Sequence, residues 1–273
     1  MTLEVLVAAM GQADCSLAKK MNIQTHAVIA NQCGQWRYEE CADGKVRMLS
    51  SDTKGVGINR NLALQLAKED ILLFADDDVT YYDGSLQGVT DAFRELPDAD
   101  VIFFAMDYTR DGEVFEKRRN KTRRLHIWNS MRYGAARMAI RREAVIRHRL
   151  GFSTLFGGGC CYGNGEDTLL IRDCFRAGLR VYSHSYVLGS CAKDSSSWFT
   201  GYNDKYFYDW GALVACAFPK MKWLLKWHFA RRLSKKSNVS LKNVITQMNL
   251  GIHGFPDLKT YGEGKSSEEE MDY

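Results

Sequence analysis

Three consecutive carboxylates, Asp76, Asp77 and Asp78, follow the apolar run Ile71-Leu72-Leu73-Phe74-Ala75. Like charges held this close repel and raise one another's pKa, so the cluster is costly unless something offsets it. A hard divalent cation does so, because Mg²⁺ and Mn²⁺ take one or two carboxylates and fill their remaining positions with water and phosphate oxygens. The implied chemistry is a cation holding a phosphorylated ligand at the carboxyl edge of an α/β sheet, where such sheets bind ligands. A second acidic pair, Glu166-Asp167, follows Gly163-Asn164-Gly165 and opens a helical pattern. Acids there either complement the helix dipole or, within reach of a hydroxyl, act as a general base. His184, just past an apolar stretch, is either structural or a third metal ligand.

The elements that must position these groups can be read from pattern. Leu3 to Ala9 and Thr25 to Ala30 are apolar strand candidates, with a short helix over Ala13 to Met21 and a short strand over Val46 to Leu49. Gly57 to Lys68 carries Ile58, Leu62 and Leu66 at helical spacing and bears Arg60. Ile71 to Ala75 delivers the aspartates, Asp83 is expected to cap a helix running to about Glu95, and Asp100 to Ala105 is a further buried strand. This alternation predicts a largely parallel sheet covered by helices on both faces. Residues 107–150 are charged, aromatic and ambiguous. A helix over Gly165 to Ala177, a strand over Leu179 to Tyr182 and a helical C-terminal part follow.

The 273 residues suit one large domain with an appendage, and a net charge of +4 is too small to imply a nucleic-acid binder. From Lys117 to Arg149 there are twelve Lys/Arg against one acid, Glu143, while residues 262–273 form an acidic tail expected to be disordered. The eight cysteines lack metal-ligand spacing, and the opening residues carry no signal-like pattern. Both lead to the expectation of a cytoplasmic protein with reduced thiols. Residues 220–236 hold seven Lys/Arg and no acid, with Trp223 and Trp227 on one helical face and Leu225 and Phe229 opposite. Such a helix either lies on an anionic membrane, at the inner face of the cell membrane, or docks on the protein's own core.

Four segments taken in order, Gly57-Ile58-Asn59-Arg60-Asn61-Leu62-Ala63-Leu64, Leu72-Leu73-Phe74-Ala75-Asp76-Asp77-Asp78-Val79, Gly157-Gly158-Gly159 and Gly163-Asn164-Gly165-Glu166-Asp167-Thr168-Leu169, resemble glycosyltransferase family 2, the nucleotide-sugar transferases of the GT-A fold. The resemblance covers roughly residues 3 to 190. It implies a Rossmann-like, mostly parallel central sheet flanked by helices, with a helical C-terminal extension. Residues 1–200 would be the catalytic domain (1–105 the nucleotide-binding half, 106–200 the acceptor-binding half), 201–261 the extension and 262–273 the tail.

The resemblance further implies that Asp76 and Asp78 serve the ribose side and the Mn²⁺ or Mg²⁺ ion, with Asp78 the first choice of metal ligand and Asp77 their neighbour in the nucleotide-sugar site. Asp167, beside Glu166, would be the general base, and Arg60 would approach the nucleotide. The glycines permit close backbone contact with ligand, and Arg123 or Arg124 are candidates for neutralising the diphosphate. The family's base-contacting aspartate after the second strand is missing here. Asn31 or Gln32 could replace it, since an amide both donates and accepts, or Asn31 could cap its loop. The implied activity is inverting transfer of a sugar from a nucleotide donor, UDP first, to a hydroxyl of a growing surface or capsular polysaccharide or lipid-linked acceptor. The aromatic segment Ser195 to Tyr208 either touches sugar or packs the core. The alternatives are a catalytically silent transferase-like subunit that binds a partner, or a sugar-phosphate nucleotidyltransferase. The latter normally needs a glycine-rich, lysine-bearing loop that Ala8-Ala9-Met10-Gly11-Gln12 does not provide.

Overall fold

Strands buried on both faces read as continuous apolar runs, and the first strand of this chain, Leu3–Met10 (β1), is of that kind. In a computed structural model, which describes residues 1–41, 44–192 and 199–261, alternate residues of β1 enter two separate cores. Val5 and Val7 join one, and Leu6 joins the other. The short helix α1 (Ser16–Lys20) leads to β2 (His26–Gln32), then to β3 (Arg37–Cys41), β4 (Val46–Ser51) and helix α2 (Val56–Leu66). β5 (Ile71–Asp76) repeats the β1 pattern, with Leu73 and Ala75 in the first core and Leu72 and Phe74 in the second.

After β5 come β6 (Val79–Tyr81), α3 (Ser85–Glu95) and β7 (Val101–Arg110). The stretch that was ambiguous in sequence becomes β8 (Glu113–Arg118), β9 (Arg123–Arg124), α4 (Ile127–Ser130), a 3₁₀ turn over Ala135–Arg137, β10 (Met138–Arg141) and α5 (Arg142–His148). α6 (Glu166–Arg176) and β11 (Val181–Ala192) follow. The sheet order is β3-β4-β2-β1-β5-β10-β7-β11-β6, with β8 beside β7 and β9 beside β11. β4, β2, β1 and β5 run parallel, as do β7 and β11, giving the mostly parallel sheet flanked by helices that was expected.

Register aligns the parallel strands so that their carboxyl ends share one edge. Ala8 faces Asp76, Met10 faces Gln32, and Gln32 faces Ser51. β10 runs antiparallel between β5 and β7, with Ala139 opposite Leu73. Its start, and the 3₁₀ turn before it, therefore lie toward the carboxyl end of β5.

Two expectations are corrected, and one strand is added. Helix α3 is not capped by Asp83: its N-cap is Gly84, and Asp83 accepts a hydrogen bond from Asn22 Nδ2 at 2.8 Å. The thiols are not all reduced, because Cys15 and Cys41 form a disulfide that ties the loop before α1 to the edge strand β3. Strand β3 itself had no counterpart in the sequence pattern, since Arg37-Tyr38-Glu39-Glu40-Cys41 is largely polar and pairs on one side only, with β4.

The chain divides into two compact units, Met1–Thr154 with Asp167–Ser196, and Leu155–Glu166 with Ser197–Tyr273. The second contains helices α7 (Asp204–Ala217), α8 (Lys222–Ser237) and α9 (Leu241–Gly254) around Phe207, Val214, Leu225, Val244 and Met248. The acidic tail at 262–273 and the stretch 193–198, with Ser195 to Trp198, lie outside the described residues.

Candidate active site

The helix start Gly57-Ile58-Asn59-Arg60-Asn61 is built of local tasks that together aim one guanidinium. Gly57 lies so close to the chain beyond α5 that a Cβ there would sit 2.1 Å from the Ser153 carbonyl oxygen. Asn61 clamps the neighbouring residue, its Nδ2 donating to the Phe152 carbonyl at 2.9 Å and its Oδ1 accepting the Phe152 N–H at 2.8 Å. Asn59 donates to the Ala9 carbonyl at 3.0 Å, fixing α2 to the end of β1. Between them Arg60, 4% exposed, packs its guanidinium 5.1 Å from the Phe152 ring centre. Its Nη2 donates to Asp76 Oδ1 at 2.8 Å, and its Nη1 donates to Asp167 Oδ1 at 3.0 Å. The structure thus brings together Arg60 and one carboxylate from each acidic motif.

The aspartate triplet divides its work. Asp76 closes β5 on Arg60. Asp77 accepts the Met10 N–H at 3.2 Å, bracing the turn against β1. Asp78 begins the return into β6, and its backbone carbonyl accepts the Ala192 N–H at 3.0 Å. Surrounding protein that displaces water from Asp78, and then the charge of Asp76, push its carboxyl up to about 6, although the Cys191 thiol donates to it at 3.4 Å. Asp77 is also raised, first by the same loss of water. Such crowding is what a bound cation relieves. The donor set fits an open site, in which Asp78 and Asp76 would be the carboxylate ligands and water and phosphate would fill the remaining positions. Among the described residues no group of three His, Cys, Asp or Glu side chains could hold a metal by itself.

His184 is not part of that group. Its Nε2 lies 3.3 Å from Glu95 Oε2 and its Nδ1 accepts the Tyr186 N–H at 3.2 Å. On β11 it stands before Cys191, which touches Asp78; even with the bulges of this strand, Ser183 to Cys191 runs alongside Phe103 to Tyr108 of β7, roughly 16 Å at about 3.3 Å per residue. Arg123 and Arg124 pair with Ser183 and Tyr182 at that same distant end. Asn31 is also withdrawn from ligand duty. It is fully buried, with Oδ1 accepting the Gln12 N–H at 2.9 Å and Nδ2 donating to the Gln12 carbonyl at 2.8 Å and to Ser50 Oγ at 3.1 Å. It ties the loop after β1, as the capping alternative required. Gln32, by contrast, stands at the carboxyl edge with Nε2 bonded to the Gly55 carbonyl at 3.2 Å.

Two glycines of the 157–165 segment serve turn and packing. Gly157 donates to the Tyr162 carbonyl at 2.8 Å while Phe156 and Tyr162 stack at 4.7 Å. Gly165 adopts φ +117°, and a Cβ there would meet Leu213 at 2.5 Å. Glu166 heads α6 and is half-buried. In the aromatic segment, Phe199, Tyr202 and Tyr206 form an edge-to-face cluster against the core of α7 and α8.

The sequence reading missed three residues that the structure brings to the site. A cavity of about 120 Å³ is lined by Val79, Met106, Tyr108, Gly134, Arg137 and Cys191. One wall, Cys191, touches Asp78. Another, Gly134, abuts Asp167 so closely that a Cβ would come within 3.2 Å of Oδ2. Arg137 is 6% exposed, its guanidinium 4.9 Å from the Tyr133 ring centre. The signal for Arg137 was its place in the basic stretch, but only the 3₁₀ turn singles it out.

Residues 28–158 match the model of glycosyl transferase family 2. No protein of curated function is a significant match to the sequence. The fold is similar to that of TarS from S. aureus residues 1–349 crystallised with UDP-GlcNAc, with a TM-score of 0.58 and 13% identity over 96% of this chain and 93% of that one. The same TarS fragment with UDP gives a TM-score of 0.59 at 13% identity. A longer TarS chain gives 0.57 at 14% identity, and 46% of its length is covered. The scaffold that carries Arg60, the aspartate triplet and Asp167 has the GT-A fold, and Arg60 and the triplet lie within the 28–158 stretch that matches glycosyl transferase family 2.

Proposed function

We propose that this glycosyltransferase moves a sugar from a nucleotide donor, UDP in the first instance, to a hydroxyl of a growing surface polysaccharide or lipid-linked glycan, with inversion at the anomeric carbon. The observation that carries this reading is the double engagement of Arg60 with Asp76 and Asp167, which puts a metal-type carboxylate and a base-type carboxylate on one guanidinium. Crystallisation of the similarly folded TarS with UDP-GlcNAc and UDP supports a uridine nucleotide as donor.

Asp78 and Asp76 would hold Mn²⁺ or Mg²⁺, which when bound offsets the negative charge gathering on the leaving diphosphate. Asp167 takes the proton of the acceptor hydroxyl. The acceptor oxygen then bonds to the anomeric carbon as the bond from that carbon to the diphosphate oxygen breaks, and the bonding pair departs with UDP. Arg60 fixes the direction of the Asp167 carboxylate and competes with solvent for it. Gln32, at the edge where Asn31 is buried, is the amide that would meet the pyrimidine.

The test is calorimetric titration of the protein with UDP in the presence and absence of Mn²⁺, followed by nucleotide release from a panel of UDP-, GDP- and dTDP-sugars. Cation-dependent UDP binding with release from one UDP-sugar is expected. Absence of cation-dependent nucleotide binding sinks the proposal, and binding without release from any donor assigns the chain to a catalytically silent subunit instead.

A further inference from the structure

Helix α8 carries two apolar faces. One holds Leu225, Ala230 and Leu233, buried, with the half-buried Phe229, and closes the core of its own unit against Phe207, Val214, Val244 and Met248. That face accounts for the residues that fell opposite the tryptophans in sequence. The other face is turned to solvent: Trp223 is 46% exposed, Leu224 67% and Trp227 47%. Trp227, Arg231 and Lys235 follow at successive i,i+4 steps, so this outer face passes from aromatic to basic along one stripe. Large apolar side chains gathered in the open in this way mark an interaction surface.

The two indoles are held in place. Lys226 is buried and donates to Asn249 Oδ1 at 2.7 Å, with its Nζ 4.9 Å from the Trp223 ring centre and 5.4 Å from that of Trp227. Trp223 is further flanked by Lys222, with Nζ 5.6 Å from its ring centre, and by the His253 ring at 5.4 Å, and about half of each indole stays exposed.

We infer that the outer face of α8 docks on the surface of an anionic lipid bilayer. Tryptophan settles at the headgroup level, where its ring is in apolar surroundings and its N–H stays wet. Leu224 enters the acyl boundary beside it, and Arg231 and Lys235 meet lipid phosphates, each adding attraction that salt weakens. Residues 220–236 contain seven Lys/Arg and no acid, which matches an anionic surface and repels a second copy of the same face. The contact is peripheral: no helix among the described residues is long and apolar enough to cross a membrane. This inference rests on the second unit alone and stands whether or not the donor is a UDP-sugar.

The experiment is co-sedimentation of the full chain with phosphatidylcholine vesicles, with and without about one third phosphatidylglycerol, at low and high salt. Binding is expected to rise at least about tenfold with the anionic lipid, to weaken with salt, and to fall about tenfold in Trp223→Ser/Trp227→Ser and in Arg231→Glu/Lys235→Glu. Quenching of wild-type tryptophan fluorescence by lipids brominated near the headgroup is the second measurement, and needs no variant to fold. Pelleting that ignores anionic lipid, pelleting unchanged in both variants, or absent quenching overturns the inference. A wild-type oligomer that the tryptophan variant converts to monomer in lipid-free buffer also overturns it, and assigns the face to a second copy.

Discussion

Arg60 and Asp167 are joined by a 3.0 Å hydrogen bond across 107 residues of sequence, and the other arm of the same guanidinium holds Asp76 at 2.8 Å. A planar fork with fixed donor directions serves two carboxylates at once, and a lysine ammonium at the end of a flexible stem does not reproduce that geometry. Arg60→Lys is therefore expected to lower transfer by about a hundredfold through misalignment of Asp167, with UDP affinity far less affected. Arg60→Ala removes the partner of two partly solvated carboxylates and is expected to cost about 2 kcal/mol of stability. Urea midpoints and single-turnover transfer rates measure the two effects. Normal transfer by Arg60→Lys excludes the positioning role.

Asp167→Asn keeps the shape of the side chain and its bond to Arg60 but cannot take a proton. Transfer is expected to fall between about 10²-fold and 10⁴-fold, while calorimetric UDP binding with Mn²⁺ stays within about twofold of wild type. Full transfer by this variant moves the base to another group.

How much of this could be read from the sequence depends on which residues are constrained by more than their neighbours. The parallel strands were legible because burial on both faces leaves only apolar residues, as in Ile71 to Ala75. The helix bearing Arg60 was legible from its spacing, and the pair Glu166-Asp167 from the glycines before it; the preference for Asp167 came from the family resemblance alone, and its bond to Arg60 is visible only in three dimensions. Asn31 could be read as a base contact or as a loop cap; only the three-dimensional approach of Gln12 and Ser50 decides for the cap. Cys191 reaches Asp78 through the antiparallel register of β11 on β6, a pairing across 113 residues that no local pattern encodes. The same holds for the Cys15–Cys41 link, since cysteines without ligand spacing say nothing about who meets whom.

The raised Asp78 carboxyl gives the site a pH signature. With its titration moved from the ordinary 3.8 up to about 6, the native protein binds more protons than the unfolded chain between those values. Stability of the cation-free protein therefore declines as pH rises from about 4 to about 6, as far as this group is concerned, and Asp78→Asn flattens that slope. Cation-dependent UDP binding has the opposite trend, weakening as pH falls through about 6 because the protonated carboxyl is a poor ligand. Thermal midpoints without metal and calorimetry with Mn²⁺ across pH 4 to 8 separate the two; a binding curve flat across about pH 5 to 7 excludes Asp78 as a principal ligand.

Asn61 carries no chemistry of its own in this scheme, but both of its amide groups are bonded to the backbone of Phe152. Asn61→Ala leaves a partly buried N–H and a carbonyl without that partner, at a cost of about 1–3 kcal/mol. Because Phe152 packs under the Arg60 guanidinium, transfer should fall along with stability. Asn61→Asp, which can still accept from the Phe152 N–H, should recover part of the loss in urea midpoint. Equal midpoints for Asn61→Ala and wild type exclude the clamp.

Gly134 tests the geometry around Asp167 without touching its chemistry. Its φ of −107° suits any residue, so a substitution there carries no backbone strain. An added Cβ would come within 3.2 Å of Asp167 Oδ2, tight enough that the carboxylate must give by a few tenths of an ångström. The flexible end of Asp167 can yield to a single methyl, so Gly134→Ala should fold with an unchanged urea midpoint and lose transfer about tenfold. Gly134→Val adds two further methyls at the cavity wall, pushing the carboxylate off its bond to Arg60, and should lose at least about a hundredfold. Calorimetric UDP binding with Mn²⁺ is expected to survive in both, because Asp78 and Asp76 are untouched. Graded loss of transfer at constant nucleotide affinity identifies Asp167 placement as the affected step; full transfer by Gly134→Val excludes it.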